Sequence, residues 1–227
     1  MAEILQNWID LLPELGQACA QTALMLGIGL GAAVLLGGPL GVLLFLLSPG
    51  QSLAARRGAG IAYRVLNGVA NTVRSFPFII LLVALVPFTR VVVGTSIGPL
   101  AASVPLAVAA IPYFARLVEQ CLRDVPRGVV EAAQAMGASE LQIVVRVLLR
   151  ESRSGLVGAL TVLAISFLSY TAVAGVVGGG GIGDLAIRYG YYRFQTDVMV
   201  LTVAILVALV QLIQWSGNRL ARRLDKR

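Results

Sequence analysis

Histidine does not occur anywhere in the 227 residues, so no imidazole base, proton shuttle or histidine metal ligand is available. The two cysteines, Cys19 and Cys121, stand far apart within or beside apolar stretches, which argues against a disulfide or a cysteine-based metal site. The single lysine, Lys226, lies in the C-terminal tail. A phosphate-binding loop that ends in Gly-Lys-Ser/Thr therefore cannot be built. Charged residues of both signs are scarce, at 13%. Hydrophobic residues make up 58%, and the mean hydropathy is +0.86. A surface this apolar cannot face water, so the chain reads as an all-α integral membrane protein.

Basic residues are also missing from the beginning of the chain. Glu3, Asp10 and Glu14 precede Arg56, the first of them, which is the reverse of a signal peptide's basic opening. The N-terminus is therefore expected outside and retained. The net charge of +7 collects at Arg56, Arg57 and Arg64, around the loop after Arg116, and in the tail at Arg219, Arg222, Arg223, Lys226 and Arg227. By the positive-inside rule these segments face the cytoplasm, and the charge sets orientation rather than nucleic-acid binding. Apolar runs at 18–47, 76–94, 97–118, 156–177 and 198–215 then give five membrane spans in a single domain, 1–227.

Particular positions carry further expectations. Gly27/Gly31 and Gly37/Gly41 are small-residue pairs suited to close helix approach, and Pro39 is expected to kink the inner end of the first span. Arg90 is expected to snorkel to the outer interface, together with the ring-rich segment Tyr189, Tyr191 and Tyr192. Asp184 and Asp197 soften the misplaced charges of Arg188 and Arg193. Span four carries Ser166, Ser169, Tyr170 and Thr171, which either pack helices or line a pathway. Gly178–Gly181 has no preceding strand and reads as a flexible outer turn rather than a phosphate cradle.

The one long polar interruption, 124–155, stands out. Asp124 and Pro126 are suited to open a short helix, Gly137 to close it in a left-handed cap, and Ser139 with Gln142 to form a capping box for the next. Leu141, Val144, Val145 and Leu148 then form an apolar stripe at helical spacing. From the residues alone, the loop is either a solvated connector or a docking element.

Glu131-Ala132-Ala133, with Gly137 following and then Val147-Leu148-Leu149, resembles the ATPase-docking loop of ABC importer permeases. Arg150 and Ser154 stand where that family often carries prolines. Arg74-Ser75-Phe76-Pro77-Phe78, Pro87-Phe88-Thr89-Arg90 and Ala135-Met136-Gly137-Ala138 extend the resemblance to the permease subunits of bacterial methionine ABC importers. The resemblance implies a non-catalytic subunit of a bacterial inner-membrane importer. It implies a homodimer of five-helix permeases in lipid, a cytoplasmic ATPase dimer docked through Glu131, Ala132, Ala133 and Gly137, and an extracytoplasmic substrate-binding lipoprotein. Ser166, Ser169 and Tyr170 are the candidate pathway residues, and no cofactor, metal or nucleic acid is called for. The rivals are a permease for another small solute and an ATP-independent carrier or channel. Against the latter, no acidic residue falls at the middle of an expected span.

Overall fold

The computed structural model describes residues 2–51 and 58–225, with side chains described from Leu11 onward. The side chains of Glu3 and Asp10, and residues Arg56, Arg57, Lys226 and Arg227, lie outside the described residues. Every regular element among those described is helical. The long first helix α1 (Ala2–Ala32) runs through a π-helical turn at Ala33–Gly37 into α2 (Gly38–Leu47), and α3 (Ala59–Ser75), α4 (Phe78–Ala84), α5 (Val86–Val93) and α6 (Pro99–Arg123) follow. The polar loop holds α7 (Arg127–Ala135), α8 (Glu140–Gln142), a π-helical turn at Ile143–Leu148 and α9 (Leu149–Glu151). After it come α10 (Arg153–Val176), α11 (Gly181–Leu185), a third π-helical turn at Ala186–Tyr191 and α12 (Thr196–Leu224).

Among the described residues, four helical segments are long and apolar enough to cross a membrane: Leu11–Leu47, Pro99–Arg123, Arg153–Val176 and Thr196–Leu224. A fifth crossing exists only if Ala59–Ser75 and Phe78–Ala84 are taken as one broken span. The single helix expected over 76–94 is therefore corrected. The helix stops at Ala84 and another starts at Val86, at the point where Pro87 has no amide for the Val83 carbonyl. At about 1.5 Å per residue, α4 and α5 are each far too short for a hydrocarbon core of about 30 Å. Most of the α6 window is buried within the chain, 56% against 11% for α12, so α6 is a core helix and α12 turns most of its surface outward.

The residues group into two compact units. The first comprises 1–31, 76–108 and 164–214. Leu11, Leu15 and Ala18 of α1 pack there against Ile182, Leu185 and Val198. The glycine corner after α10, expected from the sequence as a flexible turn, is closely packed. A Cβ on Gly183 would lie 2.4 Å from the Ala172 Cα, and one on Gly175 2.3 Å from the Asp184 nitrogen, so backbone packs on backbone. The first amides of α11 are also satisfied from a distance, since Gly181 N–H donates to Gln21 Oε1 at 2.8 Å and Ile182 N–H to Thr22 Oγ1 at 3.0 Å. Those amides cannot serve a phosphate, because side chains of α1 already occupy them.

Nearby, Arg188 pairs with Asp184 at 2.8 Å, while Arg193 lies over the Tyr189 ring at 4.3 Å. The hydroxyl of Tyr189 donates to Glu14 at 2.8 Å, and that bond holds its phenol above the ordinary value. Arg90 is exposed. Gly27 and Gly31 have open space around them within the chain, so this pair makes no helix contact there.

The second unit comprises 32–75, 109–163 and 215–227. Here the Gly37/Gly41 pair does seat backbone against α6. Added Cβ atoms would meet the carbonyls of Ile111 and Ala115, each at 2.5 Å. Pro39 follows the π-helical turn at Ala33–Gly37, whose wider winding absorbs the hydrogen bond that the proline cannot make. The far end of the polar loop is fastened to the end of α12. Arg153 Nε donates to the Leu224 carbonyl and the Ser154 hydroxyl to the Ala221 carbonyl, both at 3.0 Å. The first bond satisfies a carbonyl that the helix C-terminus leaves unpaired, and the second adds to the Ala221 carbonyl, which also accepts the Asp225 N–H at 2.9 Å.

Candidate functional site

The polar loop is two short helices set by local chemistry. Pro126 stands at the cap of α7 with no side-chain capping bond, so Asp124 does not perform the role its sequence position suggested. The helix ends in a Schellman motif: Gly137 N–H donates to the Gln134 carbonyl at 2.9 Å and Ala138 N–H to the Ala133 carbonyl at 3.1 Å. Gly137 carries φ +80°, which glycine adopts without strain. The capping box is present, with Ser139 N–H donating to Gln142 Oε1 at 2.9 Å and Gln142 N–H to Ser139 Oγ at 3.4 Å.

What this corner presents differs in part from the sequence expectation. Glu131 and Ala132 are exposed, and Glu131 makes no ion pair with another described residue. Ala133 is turned inward at 5% exposure, where it supports the helix rather than offering itself for contact. In the next helix the expected stripe splits. Ile143, Val144 and Leu148 are buried, while Leu141 and Val145 point outward. The cause is the π-helical winding of Ile143–Leu148, which shifts the inward face from an i, i+3, i+7 pattern toward i, i+5.

Two large apolar residues with no assigned role, Met136 at 82% and Leu141 at 73% exposure, flank the glycine corner. Val129 and Val145 are exposed as well, so both helices of the loop leave apolar side chains uncovered along an edge of the same segment that carries Glu131. Uncovered apolar side chains on the helix that carries an unpaired charge make this corner the candidate interaction site. Nothing in the sequence announces the π-helical winding, but Met136 between a helix end and a cap glycine was legible as exposed. Beside this edge runs a groove of about 610 Å³, whose lining includes Arg123, Arg127, Glu131 and Glu140.

In the first unit, Ser166, Ser169 and Tyr170 fall at i, i+3 and i+4 on one face of α10, where Ser169 is exposed and the other two are half-buried. Tyr170 stacks on Phe78 with centroids 4.6 Å apart and planes at 3°, and meets Phe167 at 4.9 Å. Thr171 is instead buried, its hydroxyl donating to the Leu168 carbonyl at 2.7 Å, which is a packing role. The face is neutral, with hydroxyls and aromatic rings, and holds no candidate nucleophile and base pair. Among the described residues, no group of His, Cys, Asp or Glu could hold a metal ion.

Residues 49–227 match the family described as binding-protein-dependent transport system inner membrane component. The chain is 46% identical over 207 residues to the probable D-methionine transport system permease protein MetI of Vibrio cholerae, spanning 91% of this chain and 90% of that protein. It is 41% identical over 185 residues to the methionine import system permease protein MetP of Bacillus subtilis, spanning 82% of each. Among solved structures it resembles a chain of the MetNI methionine ABC transporter in an inward-facing conformation. That likeness has a TM-score of 0.91 and 43% identity, over 96% of this chain and 99% of that one.

Proposed function

Because the chain belongs to the family of binding-protein-dependent transport system inner membrane components, we propose that it is the membrane-spanning subunit of an ATP-driven importer of methionine. Two copies form the path, a pair of ATPases docks on the cytoplasmic side, and an external binding protein delivers substrate. The reading rests most directly on the uncovered edge of the polar loop. Glu131, Met136 and Leu141 are presented by a corner that local hydrogen bonds make rigid, in a chain with no ATP site of its own.

The mechanism follows from that geometry. A rigid corner transmits displacement, whereas a loose one would absorb it. When the ATPases close on ATP, the docked α7 moves with them and the spans rearrange between outward and inward openings. The chain performs no covalent step, so it is not the catalytic subunit. Ser166, Ser169 and Tyr170 offer passing substrate hydroxyls and ring faces without a fixed charge, which suits transit over tight capture. The N-terminus lies outside, and the docking loop and C-terminus lie in the cytoplasm, following the arginine distribution.

Uptake by the complex, reconstituted with its ATPase and binding protein, is the decisive measurement. Labelled methionine should accumulate only with ATP and only with the ATPase present. Uptake without ATPase, or a marked preference for another amino acid, would overturn the assignment.

A further inference from the structure

One buried carboxylate in the second unit lies apart from the docking corner. Glu119 lies in the last two turns of α6, and its side chain is only 3% exposed. Burying an ionised carboxylate is costly unless each oxygen is paired. Here the pairing is divided. Arg116 donates to Oε2, and Arg123 donates to Oε1 at 2.7 Å.

Beyond Glu119 both arginines reach α3, Arg116 through two asparagines and Arg123 through Tyr63, and Arg123 also faces the docking loop. A second guanidinium nitrogen of Arg116 donates to Asn67 Oδ1, and to Asn71 Oδ1 at 3.1 Å. Those asparagines are one turn apart on α3, so Arg116 is a rivet between two helices, held in its fork geometry by Glu119. Arg74, at the end of α3, lies over the Tyr113 ring of α6 at 5.5 Å and fixes the same pair of helices further along. On the other side, Arg123 is half-exposed and lines the groove that also holds Arg127 and Glu131 of the docking helix. Leu122 and Val125, on either side of Arg123, are buried, so the junction between α6 and the loop is packed.

We infer that Glu119 is a positioning residue which, through Arg116 and Arg123, locks the helix entering the docking loop in register with α3, so that movement of the loop is passed to α3 instead of being lost in sliding. Stability alone is a weak reason for a carboxylate here, since apolar residues of similar volume often hold such a site as well or better. An apolar contact, however, permits many neighbouring registers. A divided ion pair with paired amides opposite permits one, and this is the property a mechanical link requires.

The inference rests on the reading that this loop docks an ATPase, and the test keeps the two apart. Complexes reconstituted in proteoliposomes with ATPase and binding protein are assayed for labelled methionine uptake and ATP hydrolysis together, per assembled complex. Glu119→Gln keeps the shape and removes the charge, whereas Glu119→Asp keeps the charge. Asn67→Ala with Asn71→Ala removes the far anchor while the buried carboxylate stays paired with both arginines. We expect Glu119→Gln and the asparagine variant each to lower uptake per ATP hydrolysed by about 2- to 30-fold, the range of coupling effects in packed networks. Glu119→Asp should restore part of it. Combining Glu119→Gln with the asparagine changes should cost no more than either alone, because both break one link.

If Glu119→Gln fails to assemble, the asparagine variant carries the test by itself. A native uptake-to-hydrolysis ratio in that variant, or losses that simply add, would overturn the link. A wild-type complex that takes up no methionine would instead overturn the transport reading.

Discussion

Replacing Gly137 separates a rigid docking corner from a passive connector. Its φ of +80° lies in the left-handed region, where an L-residue with a Cβ costs about 1 to 2 kcal/mol. No other group lies within 4 Å of the position a Cβ would take, so the cost is purely one of backbone conformation. Alanine recovers about 0.4 to 1 kcal/mol by restricting the unfolded chain, which leaves a net penalty of about 1 kcal/mol for Gly137→Ala. Gly137→Val costs more, because a branched Cβ is still less compatible with that region. Gly137→Asn should be nearly neutral, since asparagine enters it readily. If the ATPase binds only the corner as folded, these penalties appear in the docking equilibrium. Alanine would weaken it about fivefold and valine about tenfold or more, with asparagine within about twofold of native. Titration of the purified ATPase onto the permease in nanodiscs measures this directly, with permease yield as the control for folding. Native affinity in the valine variant would refute the reasoning, and so would asparagine performing as badly as valine.

Other outcomes follow from the same geometry. Glu131→Lys should weaken ATPase docking by about 2 to 5 kcal/mol if its exposed carboxylate meets a basic partner on docking. Glu140→Lys should cost less than about 1 kcal/mol, and equal effects in the same titration would count against a specific role for Glu131. Gly183→Ala places a Cβ 2.4 Å from the Ala172 Cα, an overpacking worth about 1 to 3 kcal/mol or more, so thermal unfolding in detergent should shift downward. An unchanged unfolding temperature would return that corner to the status of a loose turn. Ser169→Leu, on the exposed face of α10, should reduce uptake in a complex that still assembles and hydrolyses ATP, and unchanged uptake would favour packing. Single cysteines at Asp184 and Arg222 should label from outside and inside respectively, and a cytoplasmic Asp184 would reverse the orientation.

What was legible in the sequence follows the range of the interactions that decide it. The glycine corner could be read directly, because the Schellman bonds join Gly137 to Gln134 and Ala138 to Ala133, and the capping box joins Ser139 to Gln142. All of these lie within five residues, and glycine and serine are chemically specific to those roles. The membrane class followed from composition, since no arrangement can hide so much apolar surface from water. The break at Leu85 was within reach only in part, because Pro87 removes one amide from the helix ladder, yet Pro105 and Pro112 lie inside the continuous α6.

Only the tertiary structure decided the rest. Ala133 is buried and Ala132 exposed, though they are identical side chains in adjacent positions, because the face of α7 that turns inward is fixed by what packs beneath it. Leu141 and Val145 left the apolar stripe through a π-helical turn that no residue announces. The corner after α10 is capped by Gln21 and Thr22, 160 residues away in sequence, and Glu119 is enclosed by two arginines, of which Arg116 is bonded to Asn67 and Asn71 on α3. Local hydrogen bonding is written in a few adjacent residues. Burial and pairing across the fold depend on which surfaces meet, and many sequence-compatible meetings differ by less free energy than one misplaced charge would cost.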